Sequence, residues 1–226
     1  KNKSLFEKTY QIIKKISINQ KFRLITSYIK NGNILDIGCG TGSFLYKFKK
    51  NNWKTKGVEP SKIARNKGIL KYDLDITSSV DLKKISGKYD VITMWHVLEH
   101  MPDLNSSIND LCKLLSQKGK IVLAVPNIES YDCQYYKEYW AAYDLPIHLS
   151  HFSKKSISKL FENYNFKLSY HKGMIFDSFY VSLLSENYKH GKKNLIRSFF
   201  VGVISNLYGI FTKRGFSSTL FIFEKK

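Results

Sequence analysis

The run Asn33-Ile34-Leu35-Asp36-Ile37-Gly38-Cys39-Gly40-Thr41-Gly42 limits what this chain can become more than any other stretch. Ile34, Leu35 and Ile37 are apolar without alternation, the pattern of a central parallel strand covered on both faces. Gly38, Gly40 and Gly42 then let the backbone turn sharply and come close to a ligand, with Cys39 between them. Ser43, Phe44, Leu45 and Phe48 continue as a helix whose first amide groups face that ligand. The expectation is an α/β fold that holds a small molecule at the end of its first strand.

The spacing selects among cofactors. A dinucleotide fingerprint needs G-x-G-x-x-G, but the third glycine falls at Gly42 and Ser43 stands where it should be. Asp36, at the mouth of the turn, would repel a pyrophosphate and suits a ligand carrying positive charge. Val58-Glu59-Pro60 puts a carboxylate 21 positions after Gly38, where the end of a second strand can accept both ribose hydroxyls. Adenosine joined to a cation means S-adenosylmethionine, with S-adenosylhomocysteine as product.

Four blocks in order carry a resemblance. They are Asp36 to Gly42, Gly57-Val58-Glu59-Pro60-Ser61, Tyr89 to His100 (Tyr-Asp-Val-Ile-Thr-Met-Trp-His-Val-Leu-Glu-His), and Gly119 to Asn127. Together they resemble the motifs of class I S-adenosylmethionine-dependent methyltransferases, over roughly residues 30 to 165. The subgroup is the one similar to ubiquinone-biosynthesis and small-molecule or surface-glycan O-methyltransferases. The resemblance implies a seven-stranded, doubly wound, mostly parallel sheet in the order 3-2-1-4-5-7-6. It also implies an N-terminal helical lid over 1–31; the length of the chain gives one domain over 1–226, and the stretch before the last strand, 173–215, is longer than a hairpin needs and reads as a helical insertion. By the same resemblance Arg23 meets the methionyl carboxylate, and Asp75, or Asp73 beside it, takes the adenine amine. Trp95 and His96 leave the fourth strand at its ligand-binding edge, and an aromatic face there attracts a sulfonium. The cofactor set is therefore Arg23, Asp36, Gly38, Cys39, Gly40, Gly42, Glu59, Pro60, Asp75, Trp95 and His96. A metal cluster at His96, Glu99 and His100 is a minor alternative, and no metal ligand is assigned.

Along the rest of the chain, Ser4-Leu5-Phe6-Glu7 reads as a capping box opening two helices before residue 30. Residues 61–67 read as a short helix, Gly68 to Leu70 as a weak third strand, and Gly119 as the end of the helix that starts after Asp103. Ile121 to Val125, Phe166 to His171 and Ser218 to Phe223 are the later strands. The segment from Ile128 to Phe152 is rich in Tyr, Trp and His and follows the carboxyl end of a strand, so it reads as an acceptor pocket. A loop of this kind appears in the resembling subgroup with an arginine before its first histidine; here that position is Ile147. Methylating a hydroxyl needs a base, for which His148 or His151 is the candidate, with Asp144 as orienter and His96 as third choice.

Composition adds limits. The formal net charge of +19 suggests an anionic partner, yet only four of the 37 basic residues are arginines, the usual phosphate readers. The many lysines also fit a genome rich in A and T, and the strand-four end lacks the Asn/Asp-Pro-Pro-aromatic motif of base methylases. A small-molecule or glycan-precursor acceptor is thus preferred; the alternatives are an RNA methyltransferase and a non-catalytic binding relative. Three cysteines without C-x-x-C spacing indicate neither a disulfide framework nor zinc, and with no signal-like N-terminal run the expected location is cytoplasmic. Ser198 to Thr212 holds 15 uncharged residues, short of the ~20 a span requires. Between basic flanks, this stretch is expected to cover the pocket, pair in a homodimer or lie on a membrane surface.

Overall fold

A computed structural model describes residues 5–78 and 81–226, without the side chains of residues 5–10. The capping box assigned to Ser4 lies outside the described residues. Strands β1 (Asn33–Ile37), β2 (Lys54–Val58), β3 (Ile76–Thr77), β4 (Tyr89–Trp95), β5 (Leu115–Pro126), β6 (Phe166–Gly173) and β7 (Ser218–Lys225) form one sheet. Their order is β3-β2-β1-β4-β5-β7-β6, as the resemblance implies. β7 runs antiparallel to both its neighbours, whereas β1, β2 and β3 pair in parallel. The chain divides into two compact units, Lys1–Ile92 and Thr93–Lys226.

In the first unit, α1 (Leu5–Tyr28), α2 (Ser43–Lys49) and α3 (Lys62–Tyr72) accompany β1 to β3. Ile34 and Leu35 are wholly buried, as their unbroken apolar run requires. Phe48 gathers Phe22, Phe44 and Trp53 around it at ring distances of 4.9, 5.0 and 5.1 Å. Two expectations change here. One continuous helix replaces the two expected before residue 30, because no Gly or Pro interrupts 5–28. The stretch Gly68 to Leu70 is helix, and the third strand is Ile76–Thr77. Gly68 is needed inside α3 for clearance: a Cβ there would meet Ile76 Cδ1 at 2.6 Å and the Thr41 carbonyl at 3.3 Å. Asp73 then stops the helix in a left-handed cap.

In the second unit, α4 (Leu104–Leu114) is capped by Asp103 and passes directly into β5, which runs through Gly119, so that glycine ends no helix. α5 (Tyr131–Tyr136) follows, then two short turns of tighter helix at Lys137–Tyr139 and Ala141–Tyr143. α6 (Lys154–Glu162) starts at a reciprocal Ser153–Ser156 capping box. The insertion before β7 is a helical pair, α7 (Asp177–His190) and α8 (Leu195–Phe211). The pair packs closely because Gly202 has no side chain: a Cβ there would sit 2.6 Å from Phe179 Cδ1. The opposite face of α8 leaves Leu195, Ile196, Phe199, Phe200, Ile210 and Phe211 more than half exposed. Among the described residues no helix is long and apolar enough to cross a membrane.

Candidate functional site

Two clusters of chemically capable residues stand out, one in each unit. The first is the glycine turn after β1. Gly38, Gly40 and Gly42 all have positive φ, at 72°, 55° and 72°, which an L side chain rarely adopts. Gly42 also needs the space, since a Cβ would lie 2.4 Å from Leu74 Cδ1. Gly40 differs: among the described residues nothing stands within 4 Å of where its Cβ would be, so the backbone there faces open room. The turn is tied to the end of β2, with the Gly38 and Cys39 amides donating to the Val58 carbonyl at 2.8 and 3.0 Å.

Glu59 completes this bracket. Its Oε2 accepts from the Gly40 amide and its Oε1 from the Ser61 amide, both at 2.8 Å. Arg65 donates through Nη1 to the carbonyls of Glu59 and Pro60, fixing the corner from below. Asp36 is buried at the end of β1. Burial and then the charges of Asp36 and Glu59 push the Cys39 thiol far above its usual range, so this cysteine is inert as a nucleophile. Two carboxylates around an open glycine give a mouth that favours a cationic, hydroxyl-bearing ligand. A carboxylate oxygen has two lone pairs, so Glu59 can hold an amide and still accept from a sugar hydroxyl.

The other residues expected around a cofactor are placed differently. Arg23 is exposed on α1. Asp75 is exposed, and both its oxygens accept from Lys56 Nζ at 2.9 and 2.8 Å. Asp73 pairs with Lys49. Neither of these two carboxylates is buried. The same unit carries a cleft of about 680 Å³ whose walls include Lys14, Lys15, Lys47, Lys50, Lys67 and Lys71, together with Thr41 and Ser43. Tyr46 and Tyr72 stack there at 4.3 Å. Among the described residues no acidic side chain lines this cleft.

The second cluster follows β4. Trp95 is half-buried at the strand end, and His96 takes a positive φ of 56° with its amide on the Ala124 carbonyl. Its ring lies between two carboxylates, with Nε2 3.1 Å from Asp177 and Nδ1 3.4 Å from Glu99. Desolvation disfavours the charged ring, but Asp177 and Glu99 outweigh it and push the pKa up to about 9. His96 is therefore a cation held by protein carboxylates, and as a general base it would start already protonated.

The loop carrying the histidines is anchored to this turn by its backbone. The Leu149 and Ser150 amides donate to the Glu99 carbonyl at 2.8 and 3.2 Å. The His148 ring stands 4.6 Å from that of His100 and is nine-tenths buried. His148 Nδ1 donates to the Ala142 carbonyl at 2.8 Å, and His151 Nε2 to the Tyr143 carbonyl at 3.0 Å. A ring nitrogen facing a carbonyl must carry the proton, which leaves Nε2 of His148 and Nδ1 of His151 as acceptors. Asp144 acts through its carbonyl, which receives the Ile147 and His148 amides; among the described residues no hydrogen bond joins its carboxylate to either histidine.

The aromatic wealth of 128–152 has a second explanation. Tyr136 and Trp140 are each only 1% exposed and form a core with Cys133, Ala142 and Val201. Beneath them the buried Asp132 accepts from Trp140 Nε1 at 2.7 Å, Ser205 Oγ at 2.6 Å and Ser217 Oγ at 2.7 Å. These rings pack α5 against α8, so only part of the segment can line a pocket. Sequence reasoning missed Asp177 and left Glu99 out of the site; Asp177 lies 81 positions from His96, beyond the reach of local pattern.

Comparison with known proteins bears on both clusters. The model of a methyltransferase domain matches residues 16–171. A ubiquinone biosynthesis O-methyltransferase of Pelagibacter ubique is 31% identical over 114 residues, covering 47% of each chain. An ajmaline N-methyltransferase of Rauvolfia serpentina is 25% identical over 104 residues, covering 42% of this chain and 36% of that one. The chain thus spans about half the length of the curated relatives it matches. Among solved structures, magnesium protoporphyrin IX methyltransferase from Synechocystis PCC 6803 with bound SAH aligns at a TM-score of 0.64 and 13% identity. That alignment covers 100% of this chain and 90% of the other.

Proposed function

The chain belongs to the methyltransferase domain family, and from that footing we propose that it moves a methyl group from S-adenosylmethionine to a small-molecule or glycan-precursor acceptor, at oxygen. The observation that carries this reading is the Glu59 carboxylate held at the open Gly40 by two backbone amides, with Asp36 buried beside it. When bound there, the donor supplies an electrophilic methyl on a sulfonium. The residues of the chain do the rest: Glu59 orients the ribose, Asp36 offsets the positive charge, and the bare Gly40 backbone admits the ligand. Holding donor and acceptor aligned is the main contribution such a protein makes to an in-line displacement.

On the acceptor side the reading assigns the proton to a histidine of the 141–151 loop, His148 through Nε2 or His151 through Nδ1, with Asp144 setting the loop backbone. The apolar outer face of α8, bracketed by Lys192, Lys193, Lys213 and Arg214, supports contact with an anionic membrane surface, a setting that suits a lipophilic acceptor. Isothermal titration with S-adenosylhomocysteine tests the donor assignment: one saturable site, weakened in E59A, supports it, and no heat from the folded chain removes it. The runner-up acceptor is RNA, favoured by the six lysines of the cleft and its stacked tyrosines. An RNA affinity that falls steeply with salt and is lost when Lys47 and Lys71 become Glu would put RNA first.

A further inference from the structure

Three carboxylates of the second unit are no more than 1% exposed, and they differ in how far the chain satisfies them. Asp132 has three donors; Glu186 accepts from Tyr136 OH at 3.1 Å through Oε1, while its Oε2, without a hydrogen bond, lies 3.7 Å from Arg197. Glu99 is 1% exposed, yet neither of its oxygens has a hydrogen bond. His96 Nδ1 stands 3.4 Å from its Oε1 without a hydrogen bond, and the same ring gives its Nε2 to Asp177 at 3.1 Å. Burying a carboxylate without hydrogen bonds costs several kcal/mol, so a persistent case calls for a partner.

The surroundings say which kind. One ligand atom each of Glu99, His100 and His148 lie within 4.8 Å of one another. His100 Nδ1 faces the Ile147 carbonyl at 3.3 Å and His148 Nδ1 the Ala142 carbonyl at 2.8 Å. Both rings thus direct a proton at backbone oxygen and keep a lone pair on Nε2. This is the arrangement that orients imidazoles for a metal, with the second nitrogen fixing tautomer and ring plane. The Leu149 and Ser150 amides on the Glu99 carbonyl lock the loop bearing one histidine to the turn bearing the other two groups.

We propose that Glu99, His100 and His148 bind one divalent first-row transition-metal ion, with its remaining positions open to an oxygen of the acceptor. Two imidazoles and a carboxylate suit zinc, manganese, iron or cobalt better than calcium or magnesium, which prefer an all-oxygen shell. Ligands on such an ion stand about 3 to 4 Å apart, so modest side-chain rotation closes the set. Sequence alone assigns no metal ligand here, since His148 arrives on a loop separate from Glu99 and His100. The metal site stands independently of the methyl-transfer reading; the acceptor oxygen rests on it. With His148 engaged as a ligand, the ion acidifies the acceptor hydroxyl and His151 Nδ1 is left to take the proton.

The full chain, treated with chelator and dialysed, is titrated with Co²⁺ and followed by its visible absorption, and with Mn²⁺ followed by electron paramagnetic resonance. The proposal expects one ion per chain, bound at least tenfold more weakly in both E99Q and H100A. H100A alters a partly exposed side chain and so guards against a folding defect in E99Q. Absence of saturable binding, or binding unchanged in the two variants, overturns it. S-adenosylhomocysteine binding is measured on the same preparation. Metal binding without nucleoside binding sinks the methyl-transfer reading and leaves this site standing, and the reverse sinks this site alone.

Discussion

The glycine turn of the first unit and the histidine loop of the second use polar and aromatic groups in opposite ways. Around the turn, backbone geometry does the positioning: three positive-φ glycines, two amides on Val58 and two on Glu59 hold the Glu59 carboxylate at the open Gly40. Around the loop, long-range packing does it. Trp140, Tyr136 and Asp132 are consumed in a core shared with α8, while His100, His148, His151 and Glu99 retain groups that chemistry could use. A ligand site made of backbone is compact in sequence, whereas one made by packing is scattered along it.

The difference can be broken by paired substitutions. The largest effect belongs to Trp140→Ala, which empties a buried indole site and leaves Asp132 short of a donor; a loss of about 3–5 kcal/mol is expected. Chemical denaturation should record that loss, while any chain still folded keeps its affinity for S-adenosylhomocysteine. Glu59→Ala should do the reverse, weakening that affinity by about 30- to 100-fold, or about 2–3 kcal/mol, through lost charge-assisted hydrogen bonds, with a smaller change in stability. If both variants lose stability and binding in proportion, the contrast between the regions is wrong.

Smaller effects sharpen it. Gly42→Ala strains a left-handed residue and pushes a methyl into Leu74, so about 1–3 kcal/mol of stability and a parallel loss of nucleoside affinity are expected from melting and calorimetry. His151→Ala should leave S-adenosylhomocysteine affinity within about twofold, since its ring bonds to the Tyr143 carbonyl within its own loop. Replacing Phe199 and Phe200 by Ser, both more than half exposed, should alter stability by no more than about 0.5 kcal/mol. The same double variant should reduce sedimentation with anionic vesicles, and retained sedimentation would remove the membrane role of α8.

This contrast also explains what could be read from sequence. β1, its turn, β2 and Glu59 were legible because glycine spacing and an apolar run encode them within about thirty residues. The strand order came from the resemblance of four ordered blocks, not from pairing signals in the strands themselves. Gly68 misled because a helical glycine needed for clearance looks like a breaker when Ile76 and Thr41 are unseen. The aromatic segment misled because its burial depends on α7 and α8, which arrive 40 to 80 residues later. Asp75 and Arg23 were placed by family analogy where the local sequence offered no fixed register, and both are exposed.

Most rests on the Glu59 bracket at Gly40 receiving the nucleoside of a methyl donor. Calorimetric titration of the 226-residue chain with S-adenosylhomocysteine, alongside the E59A variant, tests it without intermediary. One site per chain that is saturable in the parent and at least 30-fold weaker in the variant is the predicted result. A folded parent that shows no binding heat and no rise in melting temperature, or a variant that binds equally well, would contradict it.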